Sequence, residues 1–382
     1  MDRPVRKVKS PLPAGWYFLQ GDEACAEGAI AAGCRFYAGY PITPASEIMV
    51  RMVHRLPEVG GVFIQMEDEI ASLSSVIGAS WAGGKAMTAT SGPGISLMIE
   101  AIGYAVITET PCLIVDVQRA GPSTGQATRP AQGDVMQVKW GPHGDNEIIA
   151  LSPWSVQEMY DLTIRAINLA ERFRVPAFLL ADEAVGHLRE GLLVPEEVEV
   201  LDRLKAPGRP PFGTPEPDGV PPMPAFGEGE NLLVTGSTHD EWGVRKTADS
   251  AVQARLTERL IRKVQDHRSE IVSTEAHFLE DAEFALVAYG FTARAALGAV
   301  RLLRREGLRV GLLRLVSIWP FAEEAVADLG RRCRKIFVPE MNRGQVAGEV
   351  RKYASGPVIS LPKTDGEVIE PGEIVEGIRR HM

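Results

Sequence analysis

The sequence runs to 382 residues with 45% apolar and 24% charged side chains, an ordinary globular balance in a chain long enough for two domains with proper cores. A formal net charge of −9 argues against a nucleic-acid partner, which needs a basic face, and no apolar run is long enough to span a bilayer, since the best, Phe284 to Val300, contains Arg294. The four cysteines, Cys25, Cys34, Cys112 and Cys333, form no Cys-x-x-Cys pair, which speaks against a disulfide framework and against an iron–sulfur cluster held by this chain. The basic start from Arg3 to Lys9 is followed by no apolar segment of the signal-peptide kind, so the cytoplasm is the expected location.

Strand-like and helix-like segments alternate through the first two hundred residues. A helix ends at Gly33, and Arg35 to Ala38 reads as the strand after it. Val62 to Gln65 is a second strand. Ile70 to Trp81, rich in Ala, Ser and Gly, reads as a closely packed helix, and Ala86 to Thr90 as a third strand. Ile95 to Ile107 is apolar on nearly all sides and predicts a buried helix. Leu113 to Val117 is a strand, Val156 to Phe173 a long amphipathic helix and Pro176 to Ala181 another strand. This alternation predicts a parallel, doubly wound sheet. From Val194 to Glu230 the pattern stops, and prolines crowd between Pro207 and Pro224. That composition reads as an extended linker. Beyond it Leu232 to Thr235 reads as a strand, Ala251 to Asp266 as a polar helix, Phe284 to Tyr289 as a strand and Thr292 to Glu306 as a helix. Val310 to Leu315 and Ile336 to Pro339 are further strands, and the end looks short and polar. The expected architecture is α/β, with two doubly wound domains at 1–195 and 231–382 and a linker at 196–230.

Three acids, Glu67, Asp68 and Glu69, open the helix that begins near Ile70, where negative charge is favoured in any case. Only from Glu69 do Gly78, Gly84-Lys85 and Thr90-Ser91-Gly92-Pro93-Gly94 follow at spacings similar to those of thiamine-diphosphate enzymes. Those enzymes need a carboxylate in an apolar pocket to share a proton with the cofactor's N1′ ring nitrogen. Ser91 and Gly92 lie in a tight strand-to-helix turn that lets backbone approach a ligand. In Gly39-Tyr-Pro-Ile-Thr43-Pro44-Ala-Ser-Glu47 two prolines brace Thr43 at the carboxyl end of a strand, where open α/β sheets bind ligands. Thr43 also fits the N-cap of the next helix, with Pro44 in its first turn, and the two roles are compatible. Arg119 lies just past a strand end, in a Gly/Ser/Thr-rich loop that includes Ser123. An arginine there can grip a carboxylate by paired hydrogen bonds or can simply be solvated. His143, in Gly141-Pro-His-Gly144, is a weaker candidate. There is no Ser-His-Asp arrangement and no metal-ligand spacing. Gly133-Asp134 and Gly21-Asp22 lack the Gly-Asp-Gly and downstream Asn that hold magnesium and diphosphate in thiamine enzymes.

Together these residues resemble the alpha subunit of a 2-oxoacid:ferredoxin oxidoreductase of the 2-oxoglutarate type. Gly21-Asp-Glu-Ala24, Tyr40-Pro-Ile-Thr-Pro44, Met66-Glu-Asp-Glu69, Gly121-Pro-Ser-Thr-Gly125, Gln132-Gly-Asp-Val-Met136, Val185-Gly-His187, Thr238-His-Asp-Glu241 and Val338-Pro-Glu-Met-Asn342 carry the resemblance over nearly the whole chain. It implies a thiamine-diphosphate pyrimidine-binding-like domain followed by a transketolase C-terminal-like domain. It implies that Glu69 contacts the cofactor and that Thr43 and Arg119 contact the 2-oxoacid. It also implies a beta partner that carries the diphosphate motif, Mg2+ and a [4Fe-4S] cluster, with gamma and delta subunits as further partners. The implied reaction is oxidative decarboxylation of a 2-oxoacid with coenzyme A, with ferredoxin as electron acceptor, or its reverse. Relatives of the glutarate type often carry Gly-Leu-Pro-Thr-Lys where this chain has Gly125-Gln-Ala-Thr-Arg129-Pro130. Arg129 in that loop would hold a distal carboxylate, and branched-chain 2-oxoacids or pyruvate are the alternative substrates. A carboligase would need the diphosphate motif in the same chain. A silent scaffold subunit is opposed by the joint presence of Glu69, Thr43 and Arg119.

Overall fold

The computed structural model describes residues 5–382, and Arg3 of the basic start lies outside the described residues. The first sheet runs in the order Ser317–Trp319, Ile149–Leu151, Pro176–Asp182, Cys112–Ala120, Lys85–Thr90, Cys34–Gly39, Val62–Gln65. Its strands are parallel except Ser317–Trp319, which pairs antiparallel with Ile149–Leu151. Gln126–Pro130 folds back antiparallel on Cys112–Ala120. The central strands are buried on both faces, which is why they read as continuous apolar runs rather than as alternating ones. The second sheet has the order Thr274–His277, Val310–Leu315, Phe284–Ala288, Lys335–Glu340, Val358–Pro362, with only the first strand antiparallel. One apolar cluster joins the two: Phe178 and Leu180 of the first sheet share it with Val287 and Leu313 of the second.

The segment expected to be an extended linker is packed instead. Glu197–Leu201 pairs with Val5–Lys9 in a two-stranded ribbon, and Arg189–Val194 pairs with Gly15–Gln20 in another. Phe212, Val220, Met223 and Ala225 are buried, and Phe212 and Phe226 both lie against the Trp81 ring. Prolines offer carbonyls without N–H groups. Arg174, wholly buried, meets that excess by donating to the carbonyls of Pro211 at 2.5 Å and Pro222 at 2.9 Å. Arg203, itself in the segment, anchors it from the other side by reaching Glu171 and the carbonyls of Ser80 and Gly84. Composition alone does not reveal such partners.

Leu232 to Thr235 forms no strand, because no neighbouring strand is there to pair with it. The polar helix Ser250–Gln265 packs back on the first domain, where its Val264 joins that core. The chain end is not short and polar: Val358–Pro362 completes the second sheet, and the helix Pro371–His381 buries Ile374, Val375 and Ile378. No helix among the described residues is long and apolar enough to cross a membrane.

One buried ion cluster ties Ser250–Gln265 down. Glu109, fully buried at a left-handed φ of 50°, accepts from Arg259 Nη2 at 2.6 Å and from Lys263 Nζ at 2.8 Å. Burial alone would raise the Glu109 carboxyl, but the Arg259 and Lys263 cations hold it well below the usual carboxylate range. Removing the carboxylate leaves two largely buried cations without a counter-charge. Glu109→Gln is expected to cost about 3–5 kcal/mol of stability, read as a lower urea midpoint of unfolding by tryptophan fluorescence.

Candidate active site

Three neighbouring strands of the first sheet end on the same side, and each delivers a candidate residue there, as ligand sites of open parallel sheets require. The strand Cys34–Gly39 leads into the turn with Thr43, Lys85–Thr90 leads into Ser91, and Cys112–Ala120 carries Arg119 within it. Arg119 therefore does not sit in a loop past a strand end. It is only 8% exposed, held in the strand, and its Nη1 donates to the Thr43 carbonyl at 2.7 Å. Thr43 is not a helix cap either. The helix Ser46–Glu58 begins after Ala45, and no side chain caps it. The turn instead presents the Thr43 carbonyl to the guanidinium.

Glu69 is the first residue of the helix Glu69–Trp81, capped by the Asp68 side chain, which accepts from Ala71 N–H. It is 4% exposed, with Oε1 3.4 Å from the Thr90 hydroxyl. Its place depends on Gly94, where an added Cβ would lie 1.9 Å from Thr90 Oγ1 and 2.6 Å from Glu69 Oε1. Ser91 precedes the helix Gly92–Ile107 without capping it, and its hydroxyl is buried with no partner.

A cleft of about 430 Å³ opens beside this group, lined by Gly92, Arg119, Ser123 and Asp134 from the first domain and by Asn342 and Arg343 from the second. The structure thus brings Gly92, Arg119 and Ser123 to one wall, with Thr43 directly behind Arg119. Glu69 and Ser91 lie behind the Gly92–Gly94 turn. Arg129 is not on the cleft wall: its Nη1 pairs with Glu367 at 2.7 Å, and both side chains are about half exposed. His143 is exposed and lies outside the cleft lining.

Sequence reasoning missed an acid pair. Asp116 points from the centre of the strand Cys112–Ala120, and Asp134 precedes the helix Val135–Trp140. Neither Asp116 oxygen nor Asp134 Oδ2 has a partner while both groups are ionised. Two carboxylates cannot donate to each other, but with one shared proton they bond. Burial, then the Asp134 charge and hydrogen bond, push Asp116 well above the usual carboxylate range. Burial pushes Asp134 up to about 6, against the Asp116 hydrogen bond and the Arg119 charge. The available signal was an acid within the otherwise apolar run Leu113 to Val117.

Buried polar atoms without partners cost about 1–3 kcal/mol each. Ser91 Oγ and Arg119 Nε are two such atoms beside this cleft. Gly92 and Gly94 add a stretch of helix start without side chains, where a Cβ at Gly92 would lie 2.8 Å from Asp134 Oδ2. A buried carboxylate, an approachable backbone and unspent donors fit the aminopyrimidine end of thiamine diphosphate and a small carboxylate beside it.

Because both aspartates are raised, the folded chain binds protons more tightly than the unfolded one. The stability this contributes is full below the ordinary aspartate value, about pH 4, and is lost as the pH rises through about 6 for Asp134. In Asp116→Asn the amide donates to Asp134 at any pH. The variant is expected to melt higher than the parent at pH 7.5 and to differ little at pH 4. A difference that does not depend on pH would exclude the shared proton.

The family model for pyruvate flavodoxin/ferredoxin oxidoreductase, thiamine diphosphate-binding, matches residues 27–258, and that for pyruvate:ferredoxin oxidoreductase core domain II matches residues 282–374. The 2-oxoglutarate synthase subunit KorA of Methanothermobacter thermautotrophicus is 51% identical over 369 residues, 95% of this chain and 98% of the relative. The ketoisovalerate oxidoreductase subunit VorB of the same organism is 39% identical over 367 residues, 94% of this chain and 96% of the relative. Among solved structures, the 2-oxoglutarate:ferredoxin oxidoreductase of Magnetococcus marinus with 2-oxoglutarate, coenzyme A and succinyl-CoA bound superposes with a TM-score of 0.91 at 33% identity. That match covers 96% of this chain and 65% of the Magnetococcus chain. Matched in sequence and in fold over nearly its whole length, the chain belongs to the 2-oxoacid:ferredoxin oxidoreductase family.

Proposed function

We propose that this chain is the alpha subunit of a thiamine-diphosphate-dependent enzyme that oxidatively decarboxylates 2-oxoglutarate with coenzyme A to succinyl-CoA, carbon dioxide and reduced ferredoxin, or runs that reaction in reverse. The observation that carries the reading is the 51% identity, over almost the full length of both chains, with a 2-oxoglutarate synthase subunit. Thiamine diphosphate, when bound, supplies the nucleophilic carbon and the electron sink for the decarboxylation. Glu69 holds a proton at the cofactor's N1′, in a pocket that excludes water. Ser91 and Gly92 bring a hydroxyl and bare backbone to the same ring. Arg119 has spent Nη1 on Thr43. Its remaining donors, with Thr43 and Ser123, orient the carboxylate and keto group of the 2-oxoacid.

The distal carboxylate calls for a second cation. Arg129 already pairs with Glu367 and serves better as a brace of the cleft rim. Arg343, exposed on the cleft, has no ion pair among the described residues, and we assign it the distal carboxylate. Coenzyme A would approach the same open cleft.

The site is half of one. The chain lacks the Gly-Asp-Gly motif for magnesium and diphosphate, so a beta subunit would bring Mg2+, the diphosphate contacts and a [4Fe-4S] cluster, with gamma and delta subunits as further members and ferredoxin as electron acceptor. Tyr40, Ile70 and Leu97, each on or beside an element that carries a candidate residue, are apolar side chains 40%, 49% and 49% exposed. An apolar rim of this kind suits a partner subunit.

The test is viologen reduction by the chain co-produced with its beta partner, supplied with thiamine diphosphate, coenzyme A and either 2-oxoglutarate, pyruvate or 2-oxoisovalerate. Turnover on 2-oxoglutarate is expected, and turnover only on 2-oxoisovalerate would move the assignment to the branched-chain acids. Glu69→Gln is expected to lower kcat by about 10³-fold or more while the complex stays assembled on gel filtration. Full turnover in that variant would leave the chain a scaffold. Arg343→Ala is expected to raise KM for 2-oxoglutarate about tenfold or more, the ~1.5–3 kcal/mol of a charged hydrogen bond, and to spare any residual pyruvate activity. Arg129→Ala should do less.

A further inference from the structure

Two motifs have no use in the cleft, Gly21-Asp22 and Val185-Gly-His187, yet the fold brings them together. Asp22 lies on the helix Gly21–Ala31, Glu47 on Ser46–Glu58, and His187 ends the short helix Glu183–His187. One ligand atom from each lies within 4.8 Å of the others. His187 Nε2 is 3.4 Å from Glu47 Oε2 and 3.1 Å from the Pro44 carbonyl, and its Nδ1 is 3.2 Å from Glu183 Oε1.

The charges do not balance. Asp22 is fully buried, and neither of its carboxylate oxygens has a partner. The charged groups that act on it are Glu47, Glu183, Glu23 and a single possible cation, His187. Glu23 has Arg189 at 3.4 Å, which leaves three carboxylates around one imidazole. Burial favours a proton on Asp22, and a bound cation would take its place. A buried, unpartnered carboxylate aimed at a second carboxylate and an imidazole needs a cation between them.

We propose that Asp22, Glu47 and His187 bind one divalent cation of the zinc type beneath the Thr43–Pro44 turn. One imidazole and two carboxylates form a mixed nitrogen and oxygen set that suits Zn2+, with a position left for water. Glu183 is the outer carboxylate: it accepts Nδ1–H of His187 and fixes the tautomer, and the metal takes Nε2 in place of its contact with the Pro44 carbonyl. The ligands come from three separate elements, so no spacing in the sequence announces them. The ion's role is structural. It clamps three helices behind the turn whose carbonyl holds Arg119, and it takes no part in the reaction, so the site stands whether or not the assignment of substrate holds.

The test measures metal, not turnover. The purified complex is dialysed against a chelator, equilibrated with Zn2+, passed through gel filtration and analysed by plasma mass spectrometry. One Zn2+ more per chain is expected in the parent than in Asp22→Asn, with a rise in melting temperature on adding Zn2+ that the variant lacks. If Asp22→Asn does not fold, Glu47→Gln, at a half-buried position, makes the same comparison. Glu183→Gln is expected to weaken Zn2+ binding about tenfold. Equal zinc in the parent and in the folded ligand variants, or no zinc retained by the parent, would overturn the proposal.

Discussion

A single buried amide, that of Gln132, holds the cleft together. Its Nε2 donates to Asp182 Oδ2 at 3.2 Å and to the Tyr289 carbonyl at 3.1 Å, and its Oε1 accepts from Thr292 Oγ1 at 2.9 Å and from Met341 N–H at 3.2 Å. Its own N–H donates to the Met341 carbonyl at 3.0 Å, and its carbonyl accepts from Asn342 Nδ2 at 2.6 Å. Every donor and acceptor of the residue is used, and a buried network of that kind fixes one arrangement because any other leaves polar groups unpaired. Asp182 belongs to the first sheet, whereas Tyr289, Thr292, Met341 and Asn342 belong to the second domain. Two residues beyond Gln132 lies Asp134, and one beyond Asn342 lies Arg343. The two walls of the cleft are therefore set against each other at one point. The spacing between the acid pair and Arg343 follows from that joint rather than from either sheet alone.

Much of the fold can be read from the chain because its central strands are buried on both faces. Val310–Leu315 has the bounds expected of it, and so does the edge strand Val62–Gln65, although that strand is mostly exposed. The proline-rich segment misled for a reason that lies elsewhere in the sequence. Its carbonyls are satisfied by Arg174 and its rings by Trp81, neither of which is local. Leu232 to Thr235 has the composition of a strand and lacks only a neighbour. Propensity describes a residue, whereas a ladder needs two strands.

The site was legible to the same extent. Glu69, Ser91 and Gly92 lie within one strand–turn–helix stretch, so their spacing survives in the linear sequence. Arg119 was singled out without its setting: the strand runs on to Ala120, and the guanidinium is occupied by a backbone carbonyl from a turn 76 residues away. Asp116 and Asp134 meet across two elements, as do Asp22 and His187, and such meetings are properties of topology. The positions at fault were surface-facing or tertiary, with Arg129 bound to a glutamate from the far end of the chain.

The strand Ser317–Trp319 leaves the second domain to become the edge of the first sheet, where it pairs with Ile149–Leu151. Trp319 then donates its indole N–H to the Val135 carbonyl at 2.9 Å, one residue past Asp134. A backbone ladder cannot slide without breaking, and pulling the domains apart would bare an apolar sheet edge. The molecule consequently has no hinge between its halves. A nick in the proline-rich segment would leave the two halves still riveted through a shared sheet.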